Sequence, residues 1–255
     1  AVKFGPLEEC YLADRARLDE VFARWQPEAV LHFAAISLVG DAMRDPGTYW
    51  RVNVLGALNL IEASLASGCR NFVFSSTCAT YGDQDGVILD EETPQHPLNA
   101  YGKSKLAIEQ MLGDFGASHG LNSVIFRYFN VAGADPDGEL GEFHRPETHL
   151  IPLMLDAIDG RRPALTVFGT DYPTRDGTCV RDYVHVADLI DAHMAGLKWL
   201  EAGHGSRAFC LGTGKGFTVR EVITPSRAVT NREVLVIFGE RLAGDAVSLV
   251  CGGER

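Results

Sequence analysis

The sequence predicts an α/β fold of the doubly wound, Rossmann type: a mainly parallel sheet with helices on both faces. Three observations predict it. Short, near-continuous apolar runs occur at 29–35, 71–76 and 123–129, as expected of strands buried on both sides. Longer helical patterns separate these runs, and that alternation specifies parallel strands joined by helical crossovers. The chain has 255 residues, 46% of them hydrophobic, enough for one large domain with a smaller lobe.

Taken in order, Asp14 suits the N-cap of a helix whose Leu18, Val21, Phe22 and Trp25 share one face. The run at 29–35 is the first strand and its exit. Residues 48–67 and 99–118 carry apolar stripes and read as two long helices, with strands at 71–76 and 123–129 following them. Residues 132–147 are rich in Gly, Pro and acidic side chains without an apolar period, which predicts a long surface loop. A helix at 150–160, a strand near 164–168, a loop at 169–181 and a helix at 186–201 follow. Pro225 is expected to break the helix that starts after Val219. The division expected is a first domain over 1–131 and a smaller lobe over 132–255, partly interleaved with it.

Composition removes several classes of function. The formal net charge is -11. The nearest approach to a basic stripe, Arg161-Arg162, is two residues long, so nucleic-acid binding is not expected. The six cysteines form no C-x-x-C pair and do not cluster with histidines at zinc spacing. They read as free thiols in a reducing, cytoplasmic compartment, with no metal site. No run of eighteen apolar residues is present, so no membrane span is expected. The opening residues carry neither a signal-peptide layout nor an initiator methionine, which reads as a chain lacking its front end.

The sharpest local signal is Tyr101-Gly-Lys-Ser-Lys105 at the start of a helical pattern. Residues four apart lie on one helix face. A lysine there lowers the pKa of the tyrosine hydroxyl, which then takes a proton near neutral pH. The strand at 71–76 ends in Ser75-Ser76-Thr77, with Tyr81-Gly82 after it. In a doubly wound sheet, ligands bind beyond the carboxyl ends of the strands, so Thr77, Tyr101 and Lys105 are expected to converge there. Gly212-Thr-Gly-Lys-Gly216 fails the spacing of a nucleotide triphosphate loop and reads as a turn after a strand. His32 and His185 read as structural histidines, and Arg181-Asp182 as a possible surface ion pair.

The Ser/Thr, Tyr and Lys set resembles the short-chain dehydrogenase/reductase superfamily in its extended form. The segments His32-Phe-Ala-Ala35, Phe74-Ser-Ser-Thr-Cys-Ala-Thr-Tyr-Gly82, Arg127-Tyr-Phe-Asn-Val-Ala-Gly133 and, above all, Phe168-Gly-Thr-Asp-Tyr-Pro-Thr-Arg-Asp-Gly-Thr-Cys-Val-Arg-Asp-Tyr-Val-His185 are similar to the UDP-glucose (UDP-galactose) 4-epimerases. The resemblance covers essentially the whole chain and weakens at both ends. It implies an NAD cofactor, a UDP-sugar substrate, and a homodimer formed through helices 48–67 and 99–118. It implies Tyr101 as the base at the sugar 4-hydroxyl, Lys105 as its modulator and ribose ligand, and Thr77 as a partner of the same oxygen. Ala34, Asn53 and Tyr128 would lie against NAD. Asn130, His149, Leu150, Phe168, Arg181 and Asp245 would hold the sugar nucleotide, although relatives carry asparagine at the position of His149.

The chain also departs from that pattern. No G-x-G-x-x-G turn stands near its start, so the first βαβ unit, which cradles the NAD pyrophosphate, is expected to be missing. Cys10-Tyr11-Leu12 replaces a Gly-Asp-Leu, Ser37 replaces a lysine and Leu242 replaces an arginine. Cys78-Ala79 after Thr77 lack the acid expected of dehydratases. Alternatives are a UDP-pentose or UDP-N-acetylhexosamine 4-epimerase, with Leu249 gating sugar size, or a truncated, non-catalytic sugar-nucleotide-binding relic.

Overall fold

A computed structural model of the chain describes residues 5–84, 86–242 and 244–252. The first half contains α1 (Arg15–Trp25), β1 (Ala29–His32), α2 (Val39–Arg44), α3 (Pro46–Tyr49), α4 (Gly56–Ala66), β2 (Asn71–Ser75), α5 (Ala100–His119) and β3 (Asn122–Tyr128). The second half contains β4 (Asn130–Ala132), α6 (Leu150–Ile158), β5 (Leu165–Phe168), β6 (Val180–His185) and α7 (Val186–Glu201). It ends with β7 (Arg207–Leu211), β8 (Gly216–Thr218), α8 (Val219–Thr230), β9 (Val236–Gly239) and β10 (Ser248–Leu249).

The caps explain where the helices start. Asp14 accepts from the Arg17 backbone N–H and opens α1, as its sequence position predicts. Asn99 accepts from the Gly102 N–H and opens α5, and Gly120 closes it in the left-handed region. The helix expected at 48–67 is helical almost throughout, but Trp50–Leu55 form a π-helical segment between α3 and α4. That segment carries Asn53 inward, where it is 1% exposed; π-segments of this kind recur at functional sites.

Two compact units divide the chain. The first comprises residues 1–76, 99–126 and 193–208, and the second 77–98, 127–192 and 209–255. Against the expected division at residue 131 with a partly interleaved lobe, 77–98 falls in the second unit and 193–208 in the first.

The first unit is built on β1, β2 and β3, which pair in parallel in that order, with β7 beyond β3. Pairing aligns Phe74 with Ile125 and Ser75 with Phe126, so these two pairs point to opposite faces of the sheet. On one face Phe72 and Phe74 pack with Leu18 and Phe22 of α1, Leu60 and Ile61 of α4, and Ile108 and Leu112 of α5. On the other face Gly196 of α7 comes so close that a Cβ there would stand 2.8 Å from Phe126 and 3.0 Å from Val124.

In the second unit β6 pairs in parallel with β4 on one side and β10 on the other, and antiparallel with β8. A separate parallel pair joins β5 to β9. Tyr81, Leu89, Phe129, Leu249 and Cys251 form one core here; Met154, Ile158, Leu165 and Val167 form another.

One expectation is corrected. Pro225 does not break its helix: α8 runs from Val219 to Thr230 with the proline inside. A proline removes one backbone bond, here the one to the Glu221 carbonyl. A capping box between Thr218 and Glu221 fixes the first turn. Hydroxyl bonds from Thr224 to the Arg220 carbonyl and from Ser226 to the Ile223 carbonyl tie the turns around the proline.

Candidate functional site

Two groups of side chains take up the predicted residues, one in each unit. The first lies at the carboxyl ends of β1 and β2. Lys105 of α5 is 2% exposed. Its Nζ donates to the Ser75 carbonyl at 2.7 Å and lies 4.8 Å from the centre of the Phe74 ring. Burial pushes its pKa from 10.5 down to about 8, with the Glu109 carboxylate pulling the other way. Tyr101 stands one helical turn earlier, half-buried against Ile36, Ala42, Tyr49 and Ala100.

Asn53 fixes the loop that leaves β1. Its Oδ1 accepts from the Ile36 N–H at 2.9 Å, and its Nδ2 donates to the Ile36 carbonyl and to Ser104 Oγ, each at 3.0 Å. Ser104 Oγ in turn donates to the Tyr101 carbonyl. Asn53 thus ties the β1 exit loop, on which Ala34 is exposed, to the turn that carries Tyr101. His32, read from sequence as structural, is buried against Phe72 and Phe74 with its Nε2 unpartnered. Burial, and then the nearby Lys105 charge, push its pKa down to about 3, so it stays neutral.

The second group belongs to the second unit. Arg181 on β6 is buried, and its guanidinium donates to the Asp245 carboxylate, to the Ala246 carbonyl at 2.8 Å and to the Val180 carbonyl at 2.7 Å. Burial, the largest single influence, opposes its charge, but Asp245 together with the nearby Cys179 and Cys78 holds the pKa above the usual value. The pairing suggested by Arg181-Asp182 is thereby corrected. Asp182 instead accepts from Thr213 N and Thr213 Oγ1, at 2.9 and 2.7 Å, and from Gly214 N and Cys251 N, at 3.0 and 3.1 Å. The Gly212–Gly216 turn does present amides to an anion, and that anion is the protein's own carboxylate.

Asn130 opens β4 opposite Tyr183 and hydrogen-bonds its side chain. Burial pushes the Tyr183 pKa up to about 12. Phe168 closes β5 and is 43% exposed, Tyr128 closes β3 half-buried, and Leu150 opens α6. Thr77 also falls in this unit, where its Oγ1 accepts from the Ala79 N–H at 3.1 Å and starts a single 3₁₀ turn. His149, at the start of α6, bonds to Glu142. One donor atom each from Glu142, His144, Glu147 and His149 lies within 4.8 Å of the others. The sequence reading, which expected no metal site, did not single out this E-x-H-x-x-E-x-H spacing; the four side chains are satisfied by one another.

Sequence reasoning gives no site role to Ser75, Asp182 or His193. Each acts through a partner far away in the chain, so no local spacing marks it.

The profile of the NAD dependent epimerase/dehydratase family matches residues 2–212. A UDP-glucose 4-epimerase of Rhizobium meliloti (strain 1021) is 52% identical over 254 residues, which is 100% of this chain and 77% of that protein. Among solved structures, UDP-glucose 4-epimerase from Brucella ovis in complex with NAD superposes with a TM-score of 0.93 at 44% identity, covering 98% of this chain and 77% of its own. The enzyme from Bifidobacterium longum in complex with NAD+ and UDP gives 0.89 at 32%, covering 96% of this chain and 73% of its own. The parallel sheet, the buried Lys105 and these relationships agree: the chain belongs to the NAD dependent epimerase/dehydratase family, in its UDP-glucose 4-epimerase branch.

Proposed function

We propose that the chain catalyses NAD-dependent epimerisation at C4 of a UDP-hexose, interconverting UDP-glucose and UDP-galactose. The observation that carries this reading is the buried ammonium of Lys105, one helical turn after Tyr101 and held by the Ser75 carbonyl. Burial shields its charge from solvent, so that charge acts more strongly on Tyr101 and favours the phenolate. Tyr101 then removes the proton of the sugar 4-hydroxyl and returns it after the sugar has turned over. Thr77 offers a hydroxyl to the same oxygen.

The residues of the first unit fit the nicotinamide end of NAD. Lys105 supplies a cationic donor for ribose hydroxyls, Ala34 exposes a loop without a bulky side chain, and Asn53 holds that loop rigid. Tyr128 is assigned to the cofactor as well. NAD, when bound, accepts hydride from C4 and gives it back, so the sugar passes through a 4-keto form without net oxidation. In the second unit, Arg181 is assigned to the diphosphate, a task suited to a guanidinium. Asp245 is assigned to the uridine ribose, Phe168 to the uracil, and Asn130, His149 and Leu150 to the remainder of the sugar nucleotide.

A cytoplasmic homodimer completes the reading. Among the described residues no helix is long and apolar enough to cross a membrane. Trp50, Val52 and Leu55 are 42, 41 and 46% exposed on the helical stretch before α4, which supports self-association there. The test is conversion of UDP-galactose to UDP-glucose by the purified chain with NAD. Tyr101→Phe should slow it by about a hundredfold or more; an unchanged rate would remove Tyr101 from the mechanism.

A further inference from the structure

We propose that His193 is a positioning residue for Lys105, acting through Ser75. Ser75 is the last residue of β2 and is held from both faces of the sheet. On the face of Phe74, Lys105 Nζ donates to the Ser75 carbonyl at 2.7 Å. On the face of Phe126, Ser75 Oγ is hydrogen-bonded to His193 Nε2 at 2.9 Å, and both groups are buried. His193 is 1% exposed. Its ring is wedged between Phe33 and Phe126, each with its centre 4.7 Å away.

The Ser75 carbonyl needs such a clamp. The ladder from β1 to β2 ends at His32 and Phe74, so Ser75 is beyond its support on that side. On the β3 side the peptide that carries this carbonyl is held by the Ser76 N–H, which donates to the Phe126 carbonyl at 2.8 Å; tilting about that single bond would re-aim the Ser75 carbonyl, and a buried ammonium that loses its acceptor is costly. His193 holds the Ser75 side chain from the opposite face and so adds a second restraint on which way the carbonyl points. The aromatic wedge holds the imidazole in one orientation, so the bond is pre-organised.

The other ionisable groups around Lys105 are accounted for. Glu109, one turn further along α5, is bonded by Ser76 Oγ. His32, on β1, is neutral. Tyr101 precedes it on α5. None of them touches Ser75 Oγ among the described bonds.

The functional weight of this inference rests on the role given to Lys105 above; its test does not. The chain has only five lysines, so with lysine labelled by 13C at Cε each amine is followed separately by NMR, and Lys105→Arg identifies its signal. The wild-type Lys105 signal should titrate well below the usual lysine range, near pH 8. His193→Ala leaves the amine buried and loosens its acceptor, which disfavours the charged form, so the midpoint should fall below that of the wild type. Ser75→Ala keeps the carbonyl and removes only the hydroxyl, and it should reproduce that fall. The double variant should fall no further than either single one. His193→Gln, which can still bond the hydroxyl, should stay near wild type.

A folded His193→Ala chain with an unmoved midpoint overturns the proposal, as do additive shifts in the double variant. Should His193→Ala fail to fold, Ser75→Ala decides, and an unmoved midpoint there overturns it equally. No NAD or sugar enters the measurement. A chain with the predicted midpoints but no epimerase activity refutes the function proposed above and leaves this inference standing.

Discussion

Arg181 and Asp245, 64 residues apart in sequence, form an ion pair whose guanidinium side chain is 10% exposed and whose carboxylate is 31% exposed. Both were assigned from sequence to the sugar nucleotide, and the fold gives them to each other. Two carbonyls complete the guanidinium. Asp245→Ala leaves that charge buried with neutral acceptors only. Losing one partner of a fully buried pair costs about 3–5 kcal/mol, and the partial exposure of Asp245 reduces this to about 2–3 kcal/mol. Urea unfolding measures the loss. Arg181→Met removes the charge altogether and should cost less than Asp245→Ala, yet it should abolish UDP binding in a titration. The opposite order of stabilities would show that the pair is not balanced in this way.

Lys105 makes stability depend on pH with an unusual sign. Its pKa is lowered on folding, from 10.5 to about 8. Below pH 8 both folded and unfolded chains carry the proton, and folding bears the cost of burying the charge. Between the two values the unfolded chain binds a proton that the native chain does not, so stability rises with pH. Against Lys105→Met, the wild type should therefore gain about 3 kcal/mol between neutral pH and pH 10.5. Epimerase activity should move the other way, falling above pH 8 as the charge beside Tyr101 is lost. Paired urea titrations over that range check the first claim and a rate profile checks the second. A constant difference between the two chains would mean that Lys105 is not buried as a cation.

The parallel strands, the two long helices and the Tyr101–Lys105 pair were legible because each is written in local spacing. Apolar runs report burial, and an i,i+4 pair reports a helix face. Partners that fold together from a distance left no such mark. The sequence places Arg181 next to Asp182, but the carboxylate it bonds is that of Asp245, 64 residues away. His193 looked like one more residue of the 186–201 helix, because its significance lies in Ser75. The expected break at Pro225 followed a sound rule about helix interiors, and the capping box at Thr218 and Glu221 outweighed it. The π-helical segment around Asn53 has no periodic signature of its own; it goes with an inward amide that bonds Ile36 and Ser104.

Gly133 ends the segment that carries Asn130. Its φ is +96°, and a Cβ there would stand 2.2 Å from His185 Nε2. Gly133→Ala therefore meets both backbone strain and a collision, and should cost about 2 kcal/mol or more. His185→Ala removes the collision but not the strain, so the double variant should recover part of the loss. Thermal unfolding of the two single variants and the double one separates the contributions. Full recovery would assign the whole cost to the ring, and no recovery would assign it to φ.

Pro225 offers a gain in stability. Within α8 it leaves the Glu221 carbonyl without its helical donor, and its ring crowds the preceding turn. Pro225→Ala restores the N–H and relieves the crowding. The neighbouring bonds, from Thr224 to Arg220 and from Ser226 to Ile223, do not depend on the ring and should survive. A proline costs about 3 kcal/mol in a helix interior, but here the surrounding turns have adapted to it, so the expected gain is about 1–2 kcal/mol in urea unfolding. Hydrogen exchange should show a newly protected amide at position 225 and slower exchange along the rest of α8. An unchanged or lower unfolding midpoint would mean that the ring is packed to advantage in the native helix.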